Sequence, residues 1–168
     1  MYKKILLLSV CLIFSKFLFA NQLEIKMKPV INIAIAKAMA DACEKDQQLN
    51  NYNPVNIAIV DAGGDLVLFR RQNNAFLLSI DIAIKKAKSS AGIPYTTRKI
   101  KEIVYGKNGK PGRAPGLAHS KDVVAFPGGV PIITKNKILL GAIGVSGATA
   151  DQDEQCALAG IQAIQNNL

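Results

Sequence analysis

The stretch "GAIGVSGATADQDEQ", from Gly141 to Gln155, has the residue types of a phosphate-binding loop. Its glycines recur at three-residue spacing and lead into a helix start, where backbone amides can hold an anion. The spacing G-x-x-G-x-x-G, however, matches neither the Walker loop nor the dinucleotide fingerprint. Thr149 and Gln152 form a capping box that occupies those amides, and the acidic residues beside them repel phosphate. We therefore expect a close-packed corner between a strand and a helix.

Nucleophilic and zinc chemistry have weak support in the sequence. Ser146 lies in "GVSGA", which approaches the nucleophile elbow G-x-S-x-G but lacks its final glycine. A serine hydrolase would need the single histidine, His119, as its base, and nothing places the two side chains together. Cys43 and Cys156 belong to no C-x-x-C pair, which argues against zinc. Each lies in a helix-like segment, and an oxidising compartment would permit a disulfide if those helices pack side by side.

His119 lies in a long polar loop within the most basic part of the chain. Ten basic residues and one acid, Glu102, fall between Lys85 and Lys121. This face is either a solvated surface or a site for an anionic ligand, an acidic partner or a membrane surface. The histidine is correspondingly either solvated or an axial ligand to haem iron, with cations pairing with carboxylates. The candidate binding residues are His119, Arg98, Lys110, Arg113, Tyr105 and Tyr95.

Residues 1–20 have the pattern of a cleaved export signal. "MYKK" supplies the positive start, an apolar run follows, and Ala20 is a small residue at a plausible cleavage point. The apolar run is shorter than the roughly 20 residues that a membrane-spanning helix needs. We expect a single mature domain, residues 21–168, in the periplasm or outside the cell. It keeps 18 of the 21 basic residues against 12 acidic ones, a formal charge of +6. Nucleic acid is not an expected partner of such an exported protein.

The elements that must position these residues follow from periodicity and turn signals. Apolar residues at helical spacing predict helices over residues 27–49 and 77–91, and Thr96 or Thr97 can cap a third, shorter helix that ends near Val104. "GKNGKPGRAPGLAHS" is expected to form a loop.

Two β-prone runs joined by "DAGGD" predict a hairpin. Three more strands, "VVAF", "VPIIT" and "ILLGAIGVSG", precede a last helix over residues 150–167. This order predicts an α+β domain with about five antiparallel strands flanked by helices.

Four motifs in this order resemble the GlcG/HbpS-like haem-binding family, whose module also forms the C-terminal part of PduO-type corrinoid adenosyltransferases. They are "VDAGGDLVLFRR", "SIDIAIKKAKSS", "FPGGVPI" and "LLGAIGVSGATADQDEQCALAG", and the resemblance covers residues 27–167. It implies a profilin- or PAS-like sheet flanked by helices, often in multimers. It also implies haem binding in some members, with roles in haem sequestration or redox sensing.

Two departures from the family pattern bear on the iron ligand. Many relatives carry histidine where this chain has Asp65, and some carry one in the first helix, where this chain reads "AIAKAMADACEKD". Neither ligand carries over, so a histidine ligand could only be His119, by elimination.

The leading hypothesis is an exported, non-enzymatic haem-binding protein that forms a homo-oligomer and has a membrane sensor or an acidic protein as a further partner. The alternatives are a module that binds a small carboxylate or a partner protein without haem and, last, an enzyme of hydroxy-acid or corrinoid metabolism.

Overall fold

The computed structural model describes residues 28–168, so the expected export signal, residues 1–20, lies outside the described part. Within it, one helix is followed by two strands, two helices, two strands and a last helix, with a short 3-10 helix before the second strand pair and another after the last helix. The α-helices are α1 (Ile33–Asn50), α2 (Ser79–Gly92), α3 (Thr97–Tyr105) and α4 (Ala150–Ala163). The strands are β1 (Asn56–Asp61), β2 (Leu66–Arg71), β3 (Gly129–Ile133) and β4 (Leu139–Ser146), and the 3-10 helices span Pro115–His119 and Gln165–Asn167.

The four strands form one antiparallel sheet in the order β2-β1-β4-β3. β1 and β2 are joined by the predicted hairpin, in which a carboxylate oxygen of Asp61 accepts hydrogen bonds from the amides of Gly63 (2.8 Å) and Asp65 (3.0 Å). β1 and β4 lie in the centre, and almost all of their residues are buried because helices cover both faces of the sheet. The expected α+β architecture, an antiparallel sheet flanked by helices, is confirmed.

The two faces of the sheet carry different cores. On one face, Ile57, Ile59 and Ile143 pack with residues of α1 and α4 in a large aliphatic core. On the other, Ala58 and Ala142 meet the alanines of α2 in a smaller one. Small side chains let α2 approach the strands closely. A Cβ atom on the central Gly144 would lie 2.2 Å from the carbonyl oxygen of Ala83, too close for any side chain. The glycine-rich segment is thus closely packed, but at Gly144 the helix that it meets is α2 and not the helix that follows it.

A disulfide between Cys43 of α1 and Cys156 of α4 joins the two helices that cover the larger core. The Cα atoms are 4.4 Å apart, and both residues are fully buried. The two cysteines are 113 residues apart in the chain, so the bridge closes a large loop. The pairing that the sequence left open is therefore present in the structure.

The expected fifth strand, "VVAF", is absent from the described sheet. Residues 123–126 are irregular because they run along α2 and have no neighbouring strand: the amide of Val124 donates to the hydroxyl of Ser89 (2.8 Å). α1 begins at Ile33, capped by the side chain of Asn32, so residues 28–32 of the predicted helix lie before it. α4 ends at Ala163, and the last residues expected in it form a 3-10 turn. None of the described helices is long and apolar enough to span a bilayer.

Candidate functional site

One wall of the candidate site is a stripe along α3 that ends at its C-cap. Lys99, Glu102, Ile103 and Gly106 follow one another at i, i+3, i+4 and i+7, which places them on one side of the helix. The helix starts where the sequence predicts, because the hydroxyl of Thr96 accepts a hydrogen bond from the amide of Lys99 (3.2 Å). This cap orients the stripe relative to the residues that precede the helix.

The opposite wall is a tight turn that follows α3. Lys107 and Lys110 exchange two backbone hydrogen bonds of 3.1 Å, and the residues between them, Asn108 and Gly109, both have positive φ. The turn lies directly against the end of α3: a Cβ atom on Gly112 would be 2.1 Å from the carbonyl oxygen of Val104. The loop predicted over residues 106–120 is therefore ordered at its start.

Between the two walls lies a cavity of about 400 Å³, which we call the basic pocket. Its lining combines one tyrosine, apolar side chains and four cations with a single acid. The lining residues are Tyr95, Lys99, Glu102, Ile103, Gly106, Lys107, Lys110, Pro111 and Arg113.

Ion pairs neutralise only part of the positive charge of the basic pocket. Glu102 pairs with Lys107 and with Lys99 (2.8 Å), and their hydrogen bonds lower the pKa of the Glu102 carboxyl from 4.5 to about 2. Lys110 and Arg113 form no ion pair with any residue of the described chain. An anion that enters the pocket therefore meets two cations that have no protein partner, beside the apolar surface of Ile103.

The structure brings some of the predicted binding residues together and separates others. Lys110, Arg113 and Tyr95 line the basic pocket, whereas Arg98, Tyr105 and His119 are outside its lining. Tyr105 is 62 % exposed at the end of α3. His119 is the exposed last residue of the 3-10 helix Pro115–His119, in which no residue is buried.

Arg98 is engaged by acids of α4. Its guanidinium donates to Asp151 (2.5 Å) and to Glu154 (2.5 Å), two of the residues that crowd the first turn of that helix. The capping box of the same turn is confirmed, since Thr149 and Gln152 exchange the expected backbone-to-side-chain hydrogen bonds. Arg98 therefore links the starts of α3 and α4, and its cation is already neutralised within the protein.

A second polar cluster, which the sequence did not reveal, lies inside the molecule. Lys86 is fully buried on α2, and its ammonium donates to Asp153 (2.7 Å) and to the carbonyl oxygen of Val145 (2.8 Å). It also lies 4.8 Å from the centroid of the Phe126 ring. Burial lowers the pKa of Lys86 and raises that of Asp153, because the loss of water around each group outweighs the attraction between the ammonium and the carboxylate.

One signal in the sequence could have indicated that Lys86 is paired. Lys86 falls between Ala83 and Ala87 on the buried face of α2, a place where a lysine needs an acidic partner. Ile80 and Ile84 of the same helix are only half buried, because the close approach of α2 to the sheet requires alanines on the inner face.

An apolar groove of about 460 Å³ lies at the start of α2, away from these charges. Phe76, Leu77 and Leu78 are each more than 60 % exposed beside it. No charged side chain lines the groove, which therefore lacks both a cation for a carboxylate and a ligand for a metal. Among the described residues, no group of three or more histidine, cysteine, aspartate or glutamate side chains could hold a metal ion.

The architecture and the site can be set beside known proteins. A model of the family "Haem degrading protein HbpS-like" matches residues 31–162. The chain is 37 % identical over 130 residues to a 15.0 kDa protein from the dhaT-dhaS intergenic region of Citrobacter freundii, which covers 76 % of this chain and 87 % of that protein. It is 33 % identical over 121 residues to GlcG of Escherichia coli, covering 72 % and 84 % of the two chains.

Solved structures give the same relationship. The haem complex of PduOC superposes with a TM-score of 0.70 at 28 % identity, over 81 % of this chain and 96 % of that one. A double mutant of HbpS from Streptomyces reticuli superposes with a TM-score of 0.75 at 25 % identity, over 86 % and 94 % of the two chains. The family and the fold that the four motifs implied are both confirmed.

Proposed function

Because the chain belongs to the HbpS-like family, we propose that it is a haem-binding protein whose haem lies in the basic pocket. The observation that carries this proposal is the position of Lys110 and Arg113, two cations without an ion-pair partner in the described chain, on a cavity lining that also includes Ile103 and Pro111. Haem presents two carboxylates on a largely apolar ring, which calls for this combination of charge and apolar surface. Bound haem would supply the redox chemistry of its iron.

The apolar groove and the basic pocket differ in which part of a haem molecule they could bind. The apolar groove beside Phe76 offers a larger apolar surface, but no charged residue lines it. The basic pocket offers cations for both propionates together with Tyr95, Ile103 and Pro111 for part of the ring. An unpaired propionate that is removed from water costs far more than a partly exposed ring, so the basic pocket is the better site.

We also propose that the protein works after export, in the periplasm or outside the cell, as a mature chain that begins near Asn21. The pattern of residues 1–20 supports export, and so does the disulfide Cys43–Cys156, because structural disulfides persist in oxidising compartments. N-terminal sequencing of protein from the periplasm or medium tests this, and a chain that keeps residues 1–20 would contradict it.

The proposed role is haem sequestration, transport or redox sensing without catalysis. We propose that the protein acts as a homo-oligomer, whose size can be measured by light scattering.

Titration of the purified protein with hemin tests haem binding directly. We expect a shift of the Soret band that saturates at micromolar hemin. Replacing Lys110 and Arg113 together by alanine should weaken binding, because each propionate then loses its charge-assisted hydrogen bonds. The matched control removes two exposed lysines of α1, Lys37 and Lys45, and so makes the same change of net charge on the other face of the sheet. An absent shift in the wild-type protein, or equal losses in both double variants, would count against the proposal.

The same titration separates binding from degradation, the activity named in the family description. For a non-enzymatic protein we expect the Soret absorbance to stay constant when a reductant is added under air. A steady bleaching that requires the folded protein would instead identify a haem-degrading enzyme.

A second candidate function uses the same two cations for a small carboxylate or an acidic partner protein. It is favoured by the presence of Glu102, which already shows that this pocket accommodates a carboxylate between two lysines. Protein that ignores hemin but gains thermal stability with succinate would support this second function. An enzyme of hydroxy-acid or corrinoid metabolism ranks last, because the pocket contains no acid-base pair suited to proton transfer.

A further inference from the structure

Haem in the basic pocket needs an atom that can ligate its iron, and the lining offers few. The described lining contains no histidine, cysteine or methionine. Its one carboxylate, that of Glu102, is held by Lys99 and Lys107. Its lysines are ammonium groups at neutral pH, which have no free electron pair for iron. The remaining candidate is the phenol of Tyr95. Building on the proposed haem function, we infer that the Oη atom of Tyr95 is the axial ligand of the iron.

The position of Tyr95 suits this role. It is 46 % exposed and lines the pocket, and its hydroxyl makes no hydrogen bond with any residue of the described chain. Pro94 precedes it, the N-cap Thr96 follows it, and its amide donates to the carbonyl oxygen of Ile93 (2.5 Å). The backbone of Tyr95 is therefore held in place, and its hydroxyl would break no hydrogen bond with the protein in order to bind iron.

The charge around the pocket favours a phenolate ligand. When the Oη–Fe bond forms, the phenol O–H bond breaks and its proton goes to solvent, so the ligand carries a negative charge. The lining carries four cations, Lys99, Lys107, Lys110 and Arg113, against one acid, Glu102, and this net positive charge stabilises the phenolate. Tyrosine ligates ferric haem in other proteins. A phenolate stabilises ferric over ferrous iron, so we expect this protein to hold hemin more tightly than reduced haem.

His119 is the competing ligand from the sequence. It lies at the end of a 3-10 helix in which no residue is buried, and it is outside the lining of the basic pocket. To reach an iron bound there it would have to move, whereas Tyr95 already lines the cavity. Tyr105, 62 % exposed and also outside the lining, provides a second comparison with the same side-chain chemistry.

The test compares the hemin complexes of wild-type protein, Tyr95→Phe, Tyr105→Phe and His119→Ala. We expect the wild-type complex to show a phenolate-to-iron charge-transfer band in the visible spectrum and in resonance Raman. Tyr95→Phe should lose that band and shift the Soret maximum, while Tyr105→Phe and His119→Ala keep the wild-type spectrum. Because Phe retains the ring, thermal melting of the apo-protein should be unchanged in Tyr95→Phe.

The outcomes separate the ligand assignment from the haem function on which it rests. Wild-type protein that binds no hemin overturns both. Wild-type binding with an unchanged spectrum in Tyr95→Phe overturns the ligand assignment alone and leaves haem binding intact. A spectrum altered in His119→Ala but not in Tyr95→Phe assigns the iron to His119 instead.

Discussion

The Nζ atom of Lys86 lies 2.7 Å from Oδ2 of Asp153, and both side chains are buried. The two residues come from α2 and from the first turn of α4, 67 positions apart in the chain. The pair therefore connects helices on opposite faces of the sheet, near the end of β4, where the ammonium also donates to Val145. Each charge of the pair needs the other, because a single charge without a partner in the water-free interior would be strongly unfavourable.

We predict that Lys86→Met destabilises the protein by about 3–5 kcal/mol, because Asp153 is then a buried carboxyl without its cation. The double variant Lys86→Met/Asp153→Asn should lose much less than the sum of the single variants, since Asn keeps an oxygen for the amide of Ala148. Urea denaturation measures all three. The control is Lys85→Met, which breaks the exposed pair with Asp81 (2.7 Å) and should cost less than about 1 kcal/mol. Equal effects at positions 85 and 86 would contradict the prediction.

The disulfide should be formed in protein from an oxidising compartment and should contribute to stability. Denatured, unreduced protein is expected to expose no reactive thiol from Cys43 or Cys156, because both sulfurs are in the bridge. Replacing both cysteines by alanine should lower the free energy of unfolding by roughly 2–5 kcal/mol, since the unfolded chain regains the freedom of a large loop. Peptide mapping identifies the bridge. Two reactive thiols at these positions would show that the helices do not hold it.

Glu102 should titrate well below an ordinary glutamate. Hydrogen bonds from Lys107 and Lys99 lower its pKa in the folded protein from 4.5 to about 2. A lowered carboxylate pKa means that the stabilisation from these pairs is complete above pH 4.5 and is lost as the pH falls toward 2. NMR titration of the Glu102 side chain measures this. Lys107→Ala should move the pKa back toward 4.5, whereas Lys101→Ala, an exposed change on the same helix, should leave it unchanged.

Gly112→Ala is expected to displace the turn that carries Lys110 and Arg113. Its new Cβ would lie 2.1 Å from the carbonyl oxygen of Val104, so the turn must move away from α3. We expect altered NMR shifts for the lining of the basic pocket and weaker hemin binding. Gly116→Ala is the matched control, because a Cβ at that position would meet no atom within 4 Å. Hemin binding that survives Gly112→Ala unchanged would place the ligand elsewhere.

Local patterns in the sequence were sufficient for most of the elements. Thr149 and Gln152 predicted the capping box at the start of α4, and Thr96 or Thr97 predicted the start of α3, because capping depends on neighbours three residues away. The "DAGGD" turn predicted the hairpin for the same reason. The strand expected at "VVAF" failed because a strand needs a neighbour to pair with, and residues 123–126 pack along α2.

Only the tertiary structure decided which distant residues meet. The sequence could indicate that Lys86 needs an acidic partner but not that this partner is Asp153, since the contact exists only when both helices dock on the sheet. The same holds for the disulfide, which the sequence could permit but not assign. In the basic pocket, the sequence determined the excess of cations, but folding decided that Arg98 is neutralised by α4 while Lys110 and Arg113 face the cavity. Charge is a property of composition, whereas its availability to a ligand depends on which partners the fold brings within reach.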